Sequence, residues 1–272
     1  MSAFQMWVAM HKTPAFCLIS AVEIVAYGYL LYLLSCPIWG LVLMAGLLLC
    51  FNYLFVHVAH AVVLKKPLDA LSCQGDPEPL LHITAQLLTA KHHEADRQAL
   101  LINHCVALRE LGELQRAMEL LSGLNIDKSA GAAPAIKVIY YHNLADLCDL
   151  LGDAAGAEIW LSKSLQIYND MPDNKLKRGL KDVITLTTAE QLISQGQGDE
   201  AARLLQQLPT DQLTVRVSAA LLRARICLLQ NDRETALLNL RDVVRCGNKL
   251  YAVRQAQQRI QELETSGVDA AR

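Results

Sequence analysis

Between Pro14 and Leu64 the chain carries one formally charged residue, Glu23, whereas beyond Lys65 charges of both signs become frequent. That shift marks a composition boundary near residue 65. Two apolar runs fill the charge-poor part, AFCLISAVEIVAYGYLLYLLS and IWGLVLMAGLLLCFNYLFVHVAHAVVL, separated by Cys36 and Pro37. Each reaches the roughly 20 residues that a helix needs to cross about 30 Å of hydrocarbon. A proline at the junction ends one helix and suits a tight turn. The expectation is a membrane hairpin over residues 1–66, with spans at about 15–35 and 38–64. Trp7, Trp39 and Tyr53 lie in or near the runs, and Trp39 is placed as an interfacial anchor.

A cleaved leader is the competing reading, because Lys12 precedes an apolar stretch and LLSC, ending at Cys36, loosely resembles a lipoprotein cleavage box. The run is long for such a leader, contains Glu23 and is followed at once by a second apolar run, so the hairpin is preferred. Lys12 precedes the first run, Lys65 and Lys66 follow the second, and the turn between them has no charge. Basic residues stay on the cytoplasmic side, which predicts a multi-pass cell-membrane protein with both ends and everything after residue 65 in the cytoplasm. The 8 cysteines show no C-x-x-C pair, in keeping with a reducing compartment.

An ionised carboxylate near the bilayer centre costs at least a few kcal/mol, so Glu23 needs a partner or a role. Glu23 lies fourteen residues before Pro37 and Asn52 fifteen after it, which puts the two at similar depth in an antiparallel hairpin. A hydrogen bond between them would relieve both. Gly28 and Gly46 are matched in depth too, but Glu23 and Gly28 point roughly 140° apart at about 100° per residue, so one pair at most occupies the seam. Glu23 could also belong to an ion path with His57 and His60. Two helices cannot enclose a pore alone, so a structural glutamate, fixing the hairpin or an oligomer built through it, is favoured.

Residues 67–79, PLDALSCQGDPEP, carry three prolines and a glycine and read as a linker. From residue 80 to 265 the pattern is helical, with apolar residues at spacings of three and four, ahead of a short tail at 266–272. Four segments align on one position held by Gly112, Gly152, Gly196 and Asn231. Five residues later come Ala117, Ala157, Ala201 and Ala236, and four beyond those Leu121, Leu161, Leu205 and Leu240. Seven residues before the glycine or asparagine stand Cys105, Ala145, Ala189 and Ala224. Gly and Asn accept the left-handed conformation that ends a helix. Small residues at the other two positions let paired helices cross closely.

These features resemble the tetratricopeptide repeat, an antiparallel helix pair of about 34 residues, most clearly over Tyr140 to Tyr168. The spacing departs from a regular array, with insertions expected in NIDKSAGAAP and around NDMPDNKLKRG. The predicted fold is all-α: two transmembrane helices, then an α-solenoid of about four degenerate hairpins, closed by KLYAVRQAQQRIQELE as a polar-faced capping helix. The resemblance implies a concave face lined by the first helix of each pair, which takes a peptide or protein segment. Carried over by position, it nominates Asn103 and Arg109, then His142, Asn143 and Asp146, then Glu190 and Arg225. A clamp for a terminal carboxylate is disfavoured, because only Asn143 fits that pattern and the matching lysines are absent.

The chain has no phosphate-binding loop, dinucleotide fingerprint, zinc-protease or nucleophile-elbow motif. KHHEAD, Lys91 to Asp96, reads as a solvated loop, because adjacent residues do not share a helical face. No metal or cofactor is expected. A formal net charge of -2 argues against nucleic acid as a partner. The sequence therefore points to a non-enzymatic, membrane-anchored cytoplasmic adaptor for a protein or peptide. The alternative is an accessory subunit of a membrane transporter or enzyme complex in which the hairpin and Glu23 are functional.

Overall fold

The computed structural model describes residues 3–33, 38–127, 133–209 and 211–269, and their side chains other than those at 30–41, 55–58, 60 and 266–269. The turn at Cys36 and Pro37, the side chains of Trp39, His57 and His60, and part of the NIDKSAGAAP insertion lie outside this description. Every regular element among the described residues is a helix. Helix α1 (Ala3–Met10) and α2 (Lys12–Leu33) precede the long α3 (Ile38–Gln74), against which both pack.

The expected spans at 15–35 and 38–64 overlap α2 and α3, but among the described residues no single helix is long and apolar enough to cross a membrane. Ala3–Met10 and Lys12–Tyr29 meet that requirement only as a pair bent by 115°, and Val42–Leu54 is a shorter apolar stretch within α3. Asn52 joins the two helices, donating through Nδ2 to Glu23 Oε2 at 2.6 Å and to Ser20 Oγ at 3.1 Å. Asn52 is buried and Glu23 half-buried. Neither Gly28 nor Gly46 has a neighbour within 4 Å of where a Cβ would stand, so close backbone approach is not what holds this seam.

The stretch expected as a linker is mostly helix: α3 continues through Pro67 to Gln74. Val63, Leu64 and Leu71 are buried in one cluster with Leu80, Leu213 and Val217, and that packing outweighs the ladder bond a proline removes. The chain turns only at Gly75 to Pro77 before α4 (Glu78–Leu88). Among the described residues, helix rather than an extended linker therefore joins the apolar run of α3 to the rest of the chain.

Among the described residues, four helix pairs follow. They are α5 (Glu94–Glu110) with α6 (Leu114–Ser122), α7 (Pro134–Leu150) with α8 (Ala154–Asp170), α10 (Lys181–Ser194) with α11 (Gly198–Leu205), and α12 (Leu213–Leu229) with α13 (Arg233–Cys246). A single turn, α9 (Lys175–Gly179), fills the insertion before the third pair. Gly112, Gly152, Gly196 and Asn231 have φ of 79°, 85°, 76° and 60°, the left-handed region. Each of the four turns makes the same two bonds, exemplified by Gly112 N–H to the Arg109 carbonyl and Glu113 N–H to the Leu108 carbonyl. This is the Schellman closure of a helix C-terminus, built four times.

Ala117, Ala201 and Ala236 are fully buried and Leu121, Leu161, Leu205 and Leu240 lie in the core, whereas Ala157 is half-buried. Gly156, three residues after the cap Asp153, donates its N–H to Asp153 Oδ1 at 3.0 Å, and a Cβ there would press on Cys148 Sγ at 3.1 Å.

Helix α14 (Tyr251–Asp269) packs on α13, as a cap would, but it also reaches back to α5 and α12. Tyr251 and Arg254 lie over Gly112, and Arg254 donates to the Leu111 carbonyl. The turn before α14 grips the end of α3 and the start of α4: Asn248 Nδ2 donates to the Gln74 carbonyl at 2.8 Å, and Lys249 Nζ lies 2.8 Å from Glu78 and 3.2 Å from Asp76. The helix expected at an open end thus meets the beginning of the array, because Leu250, just before it, and its own Ala256 find the same core as Leu80 and Leu100.

Candidate functional site

The last two turns of α5 and α7, the middle of α10 and the second half of α12 bring charged side chains to one face. Arg109 on α5 is the hub. Its Nη1 donates to Asn143 Oδ1 at 2.9 Å and Asp146 Oδ2 at 2.5 Å, while Nη2 donates to Glu110 Oε1 at 2.6 Å. Only 16% of the Arg109 side chain reaches solvent. Burial acts against its charge, but Glu110 and Asp146 outweigh that and hold the guanidinium protonated. The same site pushes the Asp146 carboxyl upward, because burial outweighs the pull of Arg109.

His142 joins the third helix. Its Nδ1 lies 2.8 Å from Thr187 Oγ1 on α10, and its Nε2 3.4 Å from Asp146 Oδ2. Thr187 Oγ1 donates its one hydrogen to the Val183 carbonyl at 2.9 Å, the usual i to i−4 bond of a helical threonine. His142 with its proton on Nδ1 then donates to Thr187 Oγ1 and turns the Nε2 lone pair toward Asp146, whereas the other tautomer would set an Nε2–H against the Asp146 carboxyl. Burial first, and Arg109 second, push the imidazole down to about 3, which keeps it neutral.

The fourth helix adds Arg225, whose Nη1 donates to Glu190 Oε1 at 2.9 Å and stands 3.5 Å from Asp149 Oδ2. Burial and the nearby Asp146 and Asp149 push the Glu190 carboxyl up against the opposing pull of Arg225. The Arg225 side chain is 42% exposed, so the site closes toward Arg109 and opens toward Arg225.

Of the residues nominated on the concave face, Arg109, His142, Asn143, Asp146, Glu190 and Arg225 are thus brought together. Asn103 is not, since its amide donates to the Ala99 carbonyl of its own helix at 3.0 Å. Asn143 accepts from Arg109 through Oδ1 and donates one amide hydrogen to the Ile139 carbonyl at 2.8 Å. The sequence reading missed Glu110, Asp149 and Thr187. The spacing of three residues between Asp146 and Asp149, which puts both on one helical face, is the signal that could have found one of them.

No family model, no curated protein and no solved structure matches this chain.

Chemically, the face is a set of paired charges: two guanidiniums meet the four carboxylates of Glu110, Asp146, Asp149 and Glu190. Among the described residues no group of three His, Cys, Asp or Glu side chains stands close enough to hold a metal ion. Burial pushes the Cys105 thiol up to about 12, so it behaves as a small apolar core residue. A second buried Thr–His contact, Thr84 Oγ1 to His104 Nδ1 at 2.9 Å, ties α4 to α5 away from this face. Lys91 to His93 form the loop before α5, which opens at Glu94.

Proposed function

We propose that this chain is a membrane-anchored adaptor. Its N-terminal hairpin crosses the membrane twice, both ends lie in the cytoplasm, and the helical pairs form a tetratricopeptide-like array that holds a partner segment on the face built from α5, α7, α10 and α12. It works by binding, without catalysis.

The observation that carries this reading is the outward surface of α2 and α3. Leu18, Val22, Val25, Leu43, Leu47, Phe51 and Leu54 are each more than half exposed. Soluble monomers rarely present contiguous apolar surface of that kind, and a bilayer would cover it on all sides. Because α3 runs without a break from this surface into the packed body, the anchor fixes the position of the binding face.

Four carboxylates against two guanidiniums favour a partner segment carrying lysine or arginine, whose charge would relieve the excess around Glu190. A photocrosslinker placed at Asp149 in the full-length, membrane-embedded protein tests this. The reading expects a discrete adduct that disappears on Glu190→Lys and is absent when the crosslinker sits at Leu238 on α13. Equal adducts from both positions would count against it.

The second reading, an accessory subunit in which Glu23 is active, is favoured by the Ser20, Asn52 and Glu23 contacts within the apolar helices. Glu23→Gln keeps an acceptor for Asn52 and removes the charge. Normal assembly with lost transport or enzyme activity supports this reading, and unchanged activity removes it.

A further inference from the structure

At the foot of the hairpin the chain turns through 115° between α1 and α2, around His11. Lys12, at that corner, pairs with Asp96 of α5 at 2.7 Å, and only 11% of its side chain is exposed. The pair pins the loop between α4 and α5 against the corner. Between them lies a cleft of about 600 Å³, walled by Met10 to Pro14 on one side and by Thr89 to His93 with Asp96 on the other. That is the size of a small-molecule site.

The lining is one-sided in charge. His11, Lys12, Lys91, His92 and His93 face the cleft against the single carboxylate of Asp96, which Lys12 already neutralises. The next acid, Glu94, is engaged by Gln98 at 3.1 Å. The Lys91 and His93 side chains are exposed and make no ion pair or hydrogen bond among the described residues. Apolar helix begins immediately past the corner, at Pro14, and ends just before the exposed Lys65 and Lys66 on α3. The cleft therefore stands at the level where apolar surface gives way to charged surface.

We infer that this cleft binds the phosphate of an anionic phospholipid headgroup, with Lys91 and His93 closing on it from the α4–α5 loop. The inference rests on the hairpin being inserted in a membrane, which sets the cleft at headgroup depth on the cytoplasmic side. There, each lysine near an anionic surface strengthens binding by about fivefold.

The full-length protein is first reconstituted into phosphatidylcholine nanodiscs, then compared in mild detergent titrated with phosphatidylglycerol or phosphatidylcholine. Native mass spectrometry counts bound lipid and the unfolding midpoint reads its effect. Phosphatidylglycerol is expected to bind at about fivefold lower concentration or better, and to raise the midpoint. Lys91→Glu should abolish that preference, whereas Lys175→Glu, the same charge change on exposed α9, should keep it.

Equal binding of the two lipids, or equal loss in both variants, overturns the inference. Reproduction of the whole effect by glycerol 3-phosphate at the same concentration overturns the lipid as the source of the phosphate. Failure to enter nanodiscs overturns the hairpin reading and the headgroup site with it, whereas entry without lipid preference overturns the site alone.

Discussion

Arg109 balances carboxylates from its own helix and the next, and removing it tests the site residue by residue. Arg109→Ala leaves Asp146 and Glu110 without their cation in a setting that is largely closed to water. Chemical denaturation of the detergent-solubilised protein should show a loss of about 3 kcal/mol, the lower end for breaking a buried pair. Glu190→Gln should act in the opposite direction. Its carboxyl is pushed up in the folded chain, so the native state holds that proton more tightly than the unfolded chain does. Its contribution to stability is therefore lost as pH rises from the ordinary glutamate range toward neutrality. The glutamine variant should be more stable than the parent at pH 8 by about 1 kcal/mol, and the gain should shrink as pH falls to about 4. His142 has the reverse sign, since its folded value of about 3 lies below the unfolded one. It withdraws stability as pH falls below about 6.5, so it masks part of the carboxylate effect. His142→Gln should uncover that effect as a rise in the unfolding midpoint, relative to the parent, on acidification.

At the scale of elements, the turns were legible and the joints between distant elements were not. A residue at positive φ is a local demand that Gly112, Gly152, Gly196 and Asn231 meet by type alone, so the four helix ends could be read directly from the chain. Pro67 misled for the converse reason: its helix is kept by Leu71 and Val63 packing against α4 and α12, contacts that no local pattern records. The polar face was nominated through the repeat resemblance, which carried Arg109, Asp146, Glu190 and Arg225 over from aligned positions on four helices. Asn103 stands apart from the cluster, because an asparagine bonded to its own helix backbone looks the same in sequence as one facing a groove.

The four alanines separate by burial. Ala117→Leu should destabilise by about 1 to 3 kcal/mol through overpacking, while Ala157→Leu, half-buried, should cost well under 1 kcal/mol in the same thermal melt. Gly112 and Gly152 separate by surroundings. A Cβ at Gly152 meets nothing within 4 Å, whereas at Gly112 it would fall 2.6 Å from Tyr251 Cδ2. Gly152→Asn should therefore be nearly neutral, and Gly112→Asn should loosen α14, seen as faster hydrogen exchange there.

For the whole molecule, the central consequence is rigidity between an apolar foot and a charged face. The end of α3 and the start of α4 are gripped by Asn248 and Lys249, so the last helix and the first share one core. This closure was invisible in the sequence, where the α14 segment reads only as a polar-faced cap. We propose that α2 and α3 cross a membrane and leave every helical pair on one side. Proteolysis of full-length protein in sealed vesicles of both orientations, followed by alkaline carbonate extraction, measures this directly. Digestion of the body is expected only where the cytoplasmic face is outward, with a carbonate-resistant fragment that retains Leu18 through Leu54. Release of the intact chain by carbonate, or digestion of the body from the opposite face, would contradict it.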